Sequence, residues 1–178
     1  DDGLLALLSR ARRGSTVEAW QLREPLWWGN REQAGNDAAL NPRIAALVAA
    51  ARRGAVVRLL LDSRFDDPSG WNSNWRTVLW LRAVAARDGL AVTARTGDPT
   101  GGGVHAKTVL VRLATGEAWV HTGSQNGSEA ASKANREVAV QLRSTALYEF
   151  LVGVFDADWA AARPSRALLP VSLSPGPR

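Results

Sequence analysis

The fold is indicated most clearly by residues 56–61, which read Val-Val-Arg-Leu-Leu-Leu. An apolar run interrupted only by Arg58 is typical of a strand that is covered on both faces of a sheet. One helical repeat of apolar residues runs from Asn41-Pro42 to Gly54 before this strand, and another runs from Trp75 to Gly89 after it. Proline at a helix start and glycine just past a helix end are typical boundaries. The sequence therefore predicts a central strand between two helices.

Further elements extend this core in both directions. Ser144 is placed to cap a last helix that carries apolar residues as far as Trp159. A turn at Thr115-Gly116 joins two neighbouring strands into a hairpin. The predicted strands are Val17–Leu22, Val56–Leu61, Leu90–Ala94, His105–Leu113, Ala118–Thr122 and Glu137–Leu142. The order β-α-β-α-β-hairpin-β-α predicts an α/β fold, with a mixed β-sheet flanked by helices on both faces.

Composition limits the class of protein. The chain has 178 residues, of which 46% are hydrophobic and 22% charged, as in an ordinary folded domain and unlike disordered or collagen-like chains. Lys and Arg outnumber Asp and Glu by 22 to 17, and this net charge of +5 favours anionic partners such as phosphates, nucleic acid or acidic lipid headgroups. The absence of cysteine excludes disulfides, thiolate catalysis and cysteine-ligated metals.

The chain is expected to form one domain. We expect this domain over residues 1–163 and an extended tail over residues 164–178, because the tail holds four of the eight prolines. No apolar stretch approaches the roughly 18 residues that a transmembrane helix needs. The chain contains no Met and opens on Asp1-Asp2 without a targeting segment, so we expect it to be part of a longer precursor.

His105 and Lys107 are the first candidate site residues. They stand where a glycine-rich loop enters a predicted strand, and residues two apart on a strand share a face. An imidazole nitrogen can attack phosphorus, while a neighbouring ammonium stabilises the charge that develops on the non-bridging oxygens. This pair therefore suits phosphoryl chemistry, although the same spacing also arises by chance.

Two polar segments follow. Gly123-Ser124-Gln125-Asn126 combines a small residue with hydroxyl and amide donors, which suits a phosphate cradle, while an ordinary turn has the same composition. In Asn135-Arg136-Glu137, the carboxylate of Glu137 is placed to accept the ring N–H of His105 and fix its tautomer. The alternative for Glu137 is a surface ion pair with Arg136.

Taken together, these motifs resemble the phospholipase D superfamily in order and in spacing. The resemblance extends from Val17 to about Ala161 and rests on His105-x-Lys107, Gly123-Ser124-x-Asn126, Asn135-Arg136-Glu137-Val138 and Val154–Trp159. It implies one phospholipase D-like half that acts on phosphodiesters. The segment Val154–Trp159 is similar to that of secreted bacterial members, which favours an extracellular location over a cytoplasmic one.

The resemblance also implies roles for single residues. His105 would be the nucleophile that forms a phosphohistidine, Lys107 and Asn126 would bind the phosphoryl oxygens, Ser124 would support them, and Glu137 would orient His105. No metal or cofactor is implied. The family motif usually carries Asp seven residues after the histidine, where this chain has Arg112. Because that separation is odd, we expect Arg112 on the face opposite His105 and outside the pocket.

One motif forms only half of such a site. Displacement through a covalent intermediate needs a nucleophile and also an acid that later acts as a base. The family brings two His-x-Lys copies together, so the second half would come from a homodimer or from another part of the precursor. His121, the second histidine, is interpreted as structural or rim-lining instead.

The function expected from these observations is phosphodiester hydrolysis or phosphatidyl transfer, with phospholipid as the first substrate considered. The alternatives are an endonuclease acting on DNA or RNA, and a catalytically silent half that binds phosphate and completes a partner's site. Trp27, Trp28 and Trp71 lie in predicted loops, where they either contact acyl chains or bases or simply pack.

Overall fold

The computed structural model describes residues 2–162. Its centre is a six-stranded sheet with the strand order β3-β2-β1-β4-β5-β6. The strands are β1 (Thr16–Gln21), β2 (Val56–Asp62), β3 (Val92–Gly97), β4 (Lys107–Arg112), β5 (Ala118–Gly123) and β6 (Ala139–Arg143). The helices are α1 (Asp2–Ser9), α2 (Pro42–Arg52), α3 (Asn74–Asp88), α4 (Glu129–Lys133) and α5 (Thr145–Ala161).

Strand direction divides the sheet into two parts. β1, β2 and β3 run parallel and are joined by α2 and α3, whereas β4, β5 and β6 continue the sheet antiparallel. The amino end of β4 therefore lies beside the carboxyl end of β1, with Lys107 opposite Gln21. This is the mixed α/β fold that the sequence predicts, and its topology brings the loops after β1 and β2 to the loop before β4.

Helices cover both faces of the sheet. Leucines of α1 and apolar residues of α2 and α3 form one core with the side chains that β1, β2 and β4 direct to that face. α5 covers the other face, where Tyr148 and Phe155 are buried against Trp20, Leu60 and Leu110. Alternate residues of β1 and β4 thus enter different cores. A slip of one residue in register would therefore move each side chain of the strand to the opposite face of the sheet.

Local sequence explains the helix boundaries. The Asn41 side chain accepts the Arg43 N–H ahead of Pro42, and Ser73 and Ser144 cap α3 and α5 in the same way. Gly89 ends α3 in the left-handed conformation, with φ of 64°, a region that residues with a Cβ rarely adopt.

Several predicted boundaries need correction. β3 begins at Val92 rather than at Leu90, β4 begins at Lys107 rather than at His105, and β6 begins at Ala139 rather than at Glu137. In each case the ladder starts only where a neighbouring strand offers a partner. His105 and Glu137 consequently lie in the loops that precede their strands.

Two helices are additional to the predicted order. α1 precedes the first strand, and the short α4 lies between the last two predicted strands. Of the described helices, none combines the length and the apolar character that crossing a membrane requires. The expected tail over residues 164–178, and hence the domain limit at residue 163, lies outside the described residues.

Candidate active site

A pocket of about 360 Å³ opens at the carboxyl ends of β1 and β2. Open α/β sheets bind ligands at this end of their parallel strands, and the volume is typical of a small-molecule site. The lining comes from the loops after β1, β2 and β5, the start of α3, and the loop before β4: Leu22, Arg23, Phe65, Asp66, Asn74, His105 and Asn126. Two of the residues predicted for the site, His105 and Asn126, therefore lie in one pocket although 21 positions separate them.

The backbone around His105 is held by two carboxylates, of which Asp62 is buried. Asp62, fully buried at the end of β2, accepts the Val104 N–H at 2.7 Å and the Phe65 N–H at 2.6 Å. Asp98 accepts the Gly103 N–H at 2.7 Å. These bonds fix the end of the glycine-rich loop, so the exposed imidazole of His105 projects from a rigid backbone.

Lys107 lies close to His105, as predicted. Its Nζ donates to the His105 carbonyl oxygen at 3.0 Å and lies 3.5 Å from His105 Nδ1. Lys107 is nearly buried, and this burial lowers the pKa of its ammonium, while the charge of Glu137 acts in the opposite direction. The ammonium is thus held beside the imidazole by a bond to the backbone.

Glu137 occupies a different position from the one expected. Its carboxylate accepts hydrogen bonds from the Ser124 hydroxyl and, at 3.2 Å, from the Asn135 amide, and within residues 2–162 it accepts none from His105. These bonds, together with Lys107, lower the pKa of Glu137. The expected direct contact fails because Glu137 precedes edge strand β6, two strands from β4, where Ser124 is the nearer donor. Ser124 also accepts the Val138 N–H at 3.1 Å, which ties the 123–126 loop to the start of β6.

Asn126 has an uncommitted side chain. Its Oδ1 is buried and has no hydrogen-bond partner among the described residues. A buried polar atom without a partner is costly, and such atoms are common where a ligand supplies the missing bond. The partner that Oδ1 lacks must be a donor, whereas the amide nitrogen, which bonds to no other described residue, is available to donate to a phosphoryl oxygen in the pocket.

The neighbour of Asn126 is held by a buried polar network. The Gly127 carbonyl oxygen accepts from Trp28 Nε1 at 2.9 Å and from Asn41 Nδ2 at 3.0 Å. Glu24 lies so close to Gly127 that a side chain there would overlap its carboxylate, and Glu24 pairs with buried Arg43 at 3.1 Å. This network determines where Asn126 lies in the pocket.

His121 is not a second pocket histidine. It lies on β5 opposite Val109, and His105 is the histidine that contributes to the described lining of the pocket. Burial, assisted by the charge of Arg43, lowers the pKa of His121, whereas a bond to Gln141 acts in the opposite direction. This half-buried position on β5, outside the described lining of the pocket, is compatible with the structural or rim-lining role predicted for His121.

For Trp27 and Trp28, the structure favours the packing alternative. Trp27 exchanges backbone bonds with the Asn72 amide, and Trp28 donates to Gly127, so both tryptophans tie loops together and neither lines the pocket. Phe65 and Arg23 line it instead, and sequence reasoning missed both. The sequence could have indicated both residues, because they follow β1 and β2, parallel strands whose carboxyl ends lie at one edge of the sheet.

Two further points concern charge. Arg112 lies on the α5 face, where it pairs with Glu149 and covers the ring of Tyr148, outside the pocket as expected, although the reason is its place at the far end of β4, since His105 precedes that strand and does not alternate with it. Within residues 2–162, no group of three or more His, Cys, Asp or Glu side chains is arranged to hold a metal ion.

Comparison with solved structures places this fold among known proteins. Nuc, a phospholipase D family member from Salmonella typhimurium, superposes with a TM-score of 0.63 at 22% identity, covering 93% of this chain and 90% of that one. NucT from Helicobacter pylori superposes with a TM-score of 0.59 at 17% identity, covering 90% of this chain and 87% of that one. The archaeal chromatin protein TrmBL2, whose structure is described as showing a mode of DNA binding, gives 0.53 at 14%, covering 90% of this chain and 48% of that chain.

Sequence comparison identifies the family. No curated protein matches the chain. The family model described as "Cardiolipin synthase, PLD-like domain" matches residues 36–159, a range that includes His105, Lys107, Ser124, Asn126 and Glu137. This match covers more than half of the chain, and the chain therefore belongs to the phospholipase D-like family.

Proposed function

We propose that this chain is a phosphodiesterase of the phospholipase D type, which acts through a covalent phosphohistidine at His105. The observation that carries the proposal is the meeting of His105, Lys107 and Asn126, which come from two different loops and the start of a strand, at one end of the sheet. An exposed imidazole, a fixed ammonium and an uncommitted amide are the groups that such a displacement needs.

The first step forms the intermediate. A ring nitrogen of His105 attacks phosphorus, the P–N bond forms, and the bond to the leaving oxygen breaks. Lys107 and Asn126 donate to the non-bridging oxygens, whose charge grows as the transition state is approached. The leaving oxygen takes a proton from a general acid.

The second step releases the enzyme. The same acid, now a base, removes a proton from water or from an acceptor alcohol. The resulting oxygen nucleophile attacks phosphorus, the P–N bond breaks, and His105 returns to its free form. Water gives hydrolysis and an alcohol gives transfer. Neither step consumes an oxidant or a reductant.

Within residues 2–162, no group is placed to act as the acid that His105 needs. The acid must be a group other than the nucleophile, and the half-buried His121 is outside the described lining of the pocket. In addition, the ammonium of Lys107 faces Nδ1 of His105, while the carboxylate of Glu137 is engaged by Ser124 and Asn135. We therefore expect a second phospholipase D-like half, from another part of a precursor or from a second copy of this chain, to supply the missing histidine.

A second copy is favoured by the surface beside Glu137. Val138, Val140 and Leu142, which we call the β6 edge, are exposed large apolar residues, and Val138 has 73% of its surface exposed. β6 is also the last strand of the sheet. An exposed apolar edge strand is a natural surface for association, and its continuity with Glu137 would bring two sites together.

Trapping the intermediate tests the proposal. The protein is mixed with bis(p-nitrophenyl) phosphate, phosphatidylcholine vesicles or a single-stranded oligonucleotide, and then quenched in alkali because the P–N bond is labile in acid. Mass spectrometry is expected to find the phosphorus adduct on His105. His105→Ala is expected to abolish turnover and adduct, whereas His121→Ala is expected to retain both.

Other outcomes would contradict the proposal. Turnover with an adduct elsewhere, or equal losses in the two histidine variants, would exclude His105 as the nucleophile. Vanadate bound beside His105 and Lys107, without turnover of any diester, would instead support the catalytically silent phosphate-binding half.

A further inference from the structure

Phe65 is an exposed aromatic ring in a fixed position. It has 64% of its surface exposed, yet it lines the pocket that contains His105. Its backbone N–H donates to the buried carboxylate of Asp62 at 2.6 Å. Behind the ring lies Gly103, where a Cβ atom would come within 2.7 Å of ring atom Cε2. The ring therefore packs on the backbone of Gly103, with the guanidinium of Arg64 over it at 5.8 Å from the centroid, and presents its remaining surface to the pocket and to solvent.

Arg23 is an unpaired cation on the same pocket. Its carbonyl oxygen accepts the Gly127 N–H at 2.9 Å, which fixes its backbone beside the Asn126 loop. Its guanidinium has no ion pair or hydrogen bond with any residue in the described part of the chain. Arg64, the cation next to Phe65, is by contrast paired with Asp98 at 3.7 Å. Arg23 is thus available to an anionic group of a ligand.

We propose that Phe65 and Arg23 form a nucleotide subsite beside His105 that binds single-stranded nucleic acid. A base stacks on the ring of Phe65, and a backbone phosphate pairs with Arg23. This inference rests on the proposed function and names its substrate class. Stacking on an aromatic ring contributes about 1–3 kcal/mol per base and needs an unpaired base, because a base inside a duplex has no free face.

The surroundings of Phe65 favour a base over an acyl chain. An acyl chain or a membrane surface needs a contiguous apolar patch, whereas a base needs one ring face. The sequence around the ring is Ser63-Arg64-Phe65-Asp66-Asp67, and Asp66 uses its carboxylate to cap the start of α3. The other exposed large apolar residues lie on the β6 edge, on α5 and at the start of β2.

Binding of a fluorescein-labelled oligothymidylate, measured by anisotropy, tests the subsite. The full chain carries His105→Ala, so that the ligand is not consumed. Phe65→Ala is expected to weaken binding by about 5-fold to 150-fold, which corresponds to the stacking energy of one base. Phe65→Trp is expected to restore binding and to show that the position tolerates change. Phe65→Leu, which keeps apolar bulk but no ring, is expected to resemble Phe65→Ala.

The cation is tested by salt dependence. Arg23→Gln is expected to weaken binding at low salt and to reduce the slope of log affinity against log salt by about one. Arg12→Gln is the matched control, since Arg12 is also exposed but precedes the amino end of β1, whereas Arg23 follows its carboxyl end. That control is expected to leave the slope unchanged.

Two results would overturn the inference. If the Phe65→Leu variant binds oligothymidylate as tightly as the chain that retains Phe65, the ring does not stack on a base. If Phe65→Ala instead reduces binding to phosphatidylcholine vesicles, the ring is an apolar anchor for lipid. Failure of the proposed function would be seen separately. In that case no adduct forms on His105, while the Phe65 variants still bind oligothymidylate with the expected differences in affinity.

Discussion

Gly127 shows how a single residue sets the position of a reactive group. Alanine at this position would overlap the buried Glu24 carboxylate, which is itself paired with Arg43. We expect Gly127→Ala to lower the free energy of unfolding by about 1–3 kcal/mol through overpacking, and to weaken vanadate binding because Asn126 moves. Urea unfolding and calorimetric titration measure the two effects.

A second glycine provides the control. Gly153 lies within α5 and has open space where its side chain would be. Gly153→Ala is expected to stabilise the protein by roughly 0.5–1 kcal/mol, because alanine is the better helix former. If Gly127→Ala changes the free energy of unfolding as little as Gly153→Ala does, the contact between Gly127 and Glu24 is not rigid.

His121 makes stability depend on pH. Its pKa is lowered in the fold from a value of 6.5, so between the two values the unfolded chain binds more protons than the folded one. Stability therefore rises with pH across this window and is lost as the pH falls below about 6.5. Urea midpoints at pH 7.5 and 5.5 are expected to differ less in His121→Gln than in the unmodified protein. His105→Gln retains His121, so it is expected to lose stability at pH 5.5 as the unmodified protein does. An equal pH dependence of the urea midpoint in all three proteins would contradict this account.

Sequence reasoning was more successful with some site residues than with others. His105, Lys107 and Asn126 belong to motifs whose spacing carries information, and the structure brings them together. Phe65 and Arg23 belong to no such motif, because their place in the pocket depends on which strand ends lie side by side. Trp28 was a candidate because of its residue type, but its indole N–H was needed by the Gly127 carbonyl.

Among the elements, β6 is expected to control association. All five of its residues are exposed, and Val140 and Leu142 face the α5 side, opposite Thr122 and Val120 of β5. Val140→Lys combined with Leu142→Lys is expected to prevent pairing of this edge, since charges block edge-to-edge contact. Sedimentation velocity is expected to show a dimer that becomes monomeric in this variant.

Val56 provides the comparison for that experiment. It is exposed to a similar extent, but it lies at the amino end of β2, far along the sheet from β6. Val56→Lys is expected to leave association unchanged. If the β6 variant associates as the unmodified chain does, the second half must bind elsewhere or must come from a different polypeptide.

The elements differ in how far the sequence predicts them. β2 was clear because a strand that is buried on both faces needs an unbroken apolar run. α1 was missed although Leu4, Leu7 and Leu8 follow the helical spacing and are buried, so its signal was present in the sequence. β6 begins later than its alternating pattern predicts, because the ladder depends on its neighbour, whose last paired residue, Gly123, lies opposite Ala139.

At the scale of the whole molecule, the topology gathers the predicted site residues at one end of an open sheet and, among the described residues, leaves the outer side of edge strand β6 without a partner strand. Reversal of direction at β4 places the loop before it next to the carboxyl ends of β1 and β2, so His105 reaches the pocket. Glu137 directly precedes β6, the last strand of the sheet. A site built at such an edge is open to completion by another molecule.

If two copies share one site, mixing active and inactive chains gives a distinctive result. The unmodified chain and His105→Ala are combined in urea at constant total concentration, refolded together, and assayed on bis(p-nitrophenyl) phosphate. A site that needs both histidines is active only when both copies are unmodified, so turnover follows the square of the unmodified fraction and falls to about a quarter in an equal mixture. A chain that acts alone gives about half.

Association itself supplies the control for this mixture. His105→Ala that also carries Val140→Lys and Leu142→Lys is not expected to pair, so adding it dilutes the active chains without inactivating them, and turnover then follows the unmodified fraction linearly. A linear dependence with the simple His105→Ala chain as well would contradict a site shared between two copies. The nucleophile and the acid would then both have to lie within one chain, which leaves His105 to be paired with a group other than His121, since His121 does not line the described pocket.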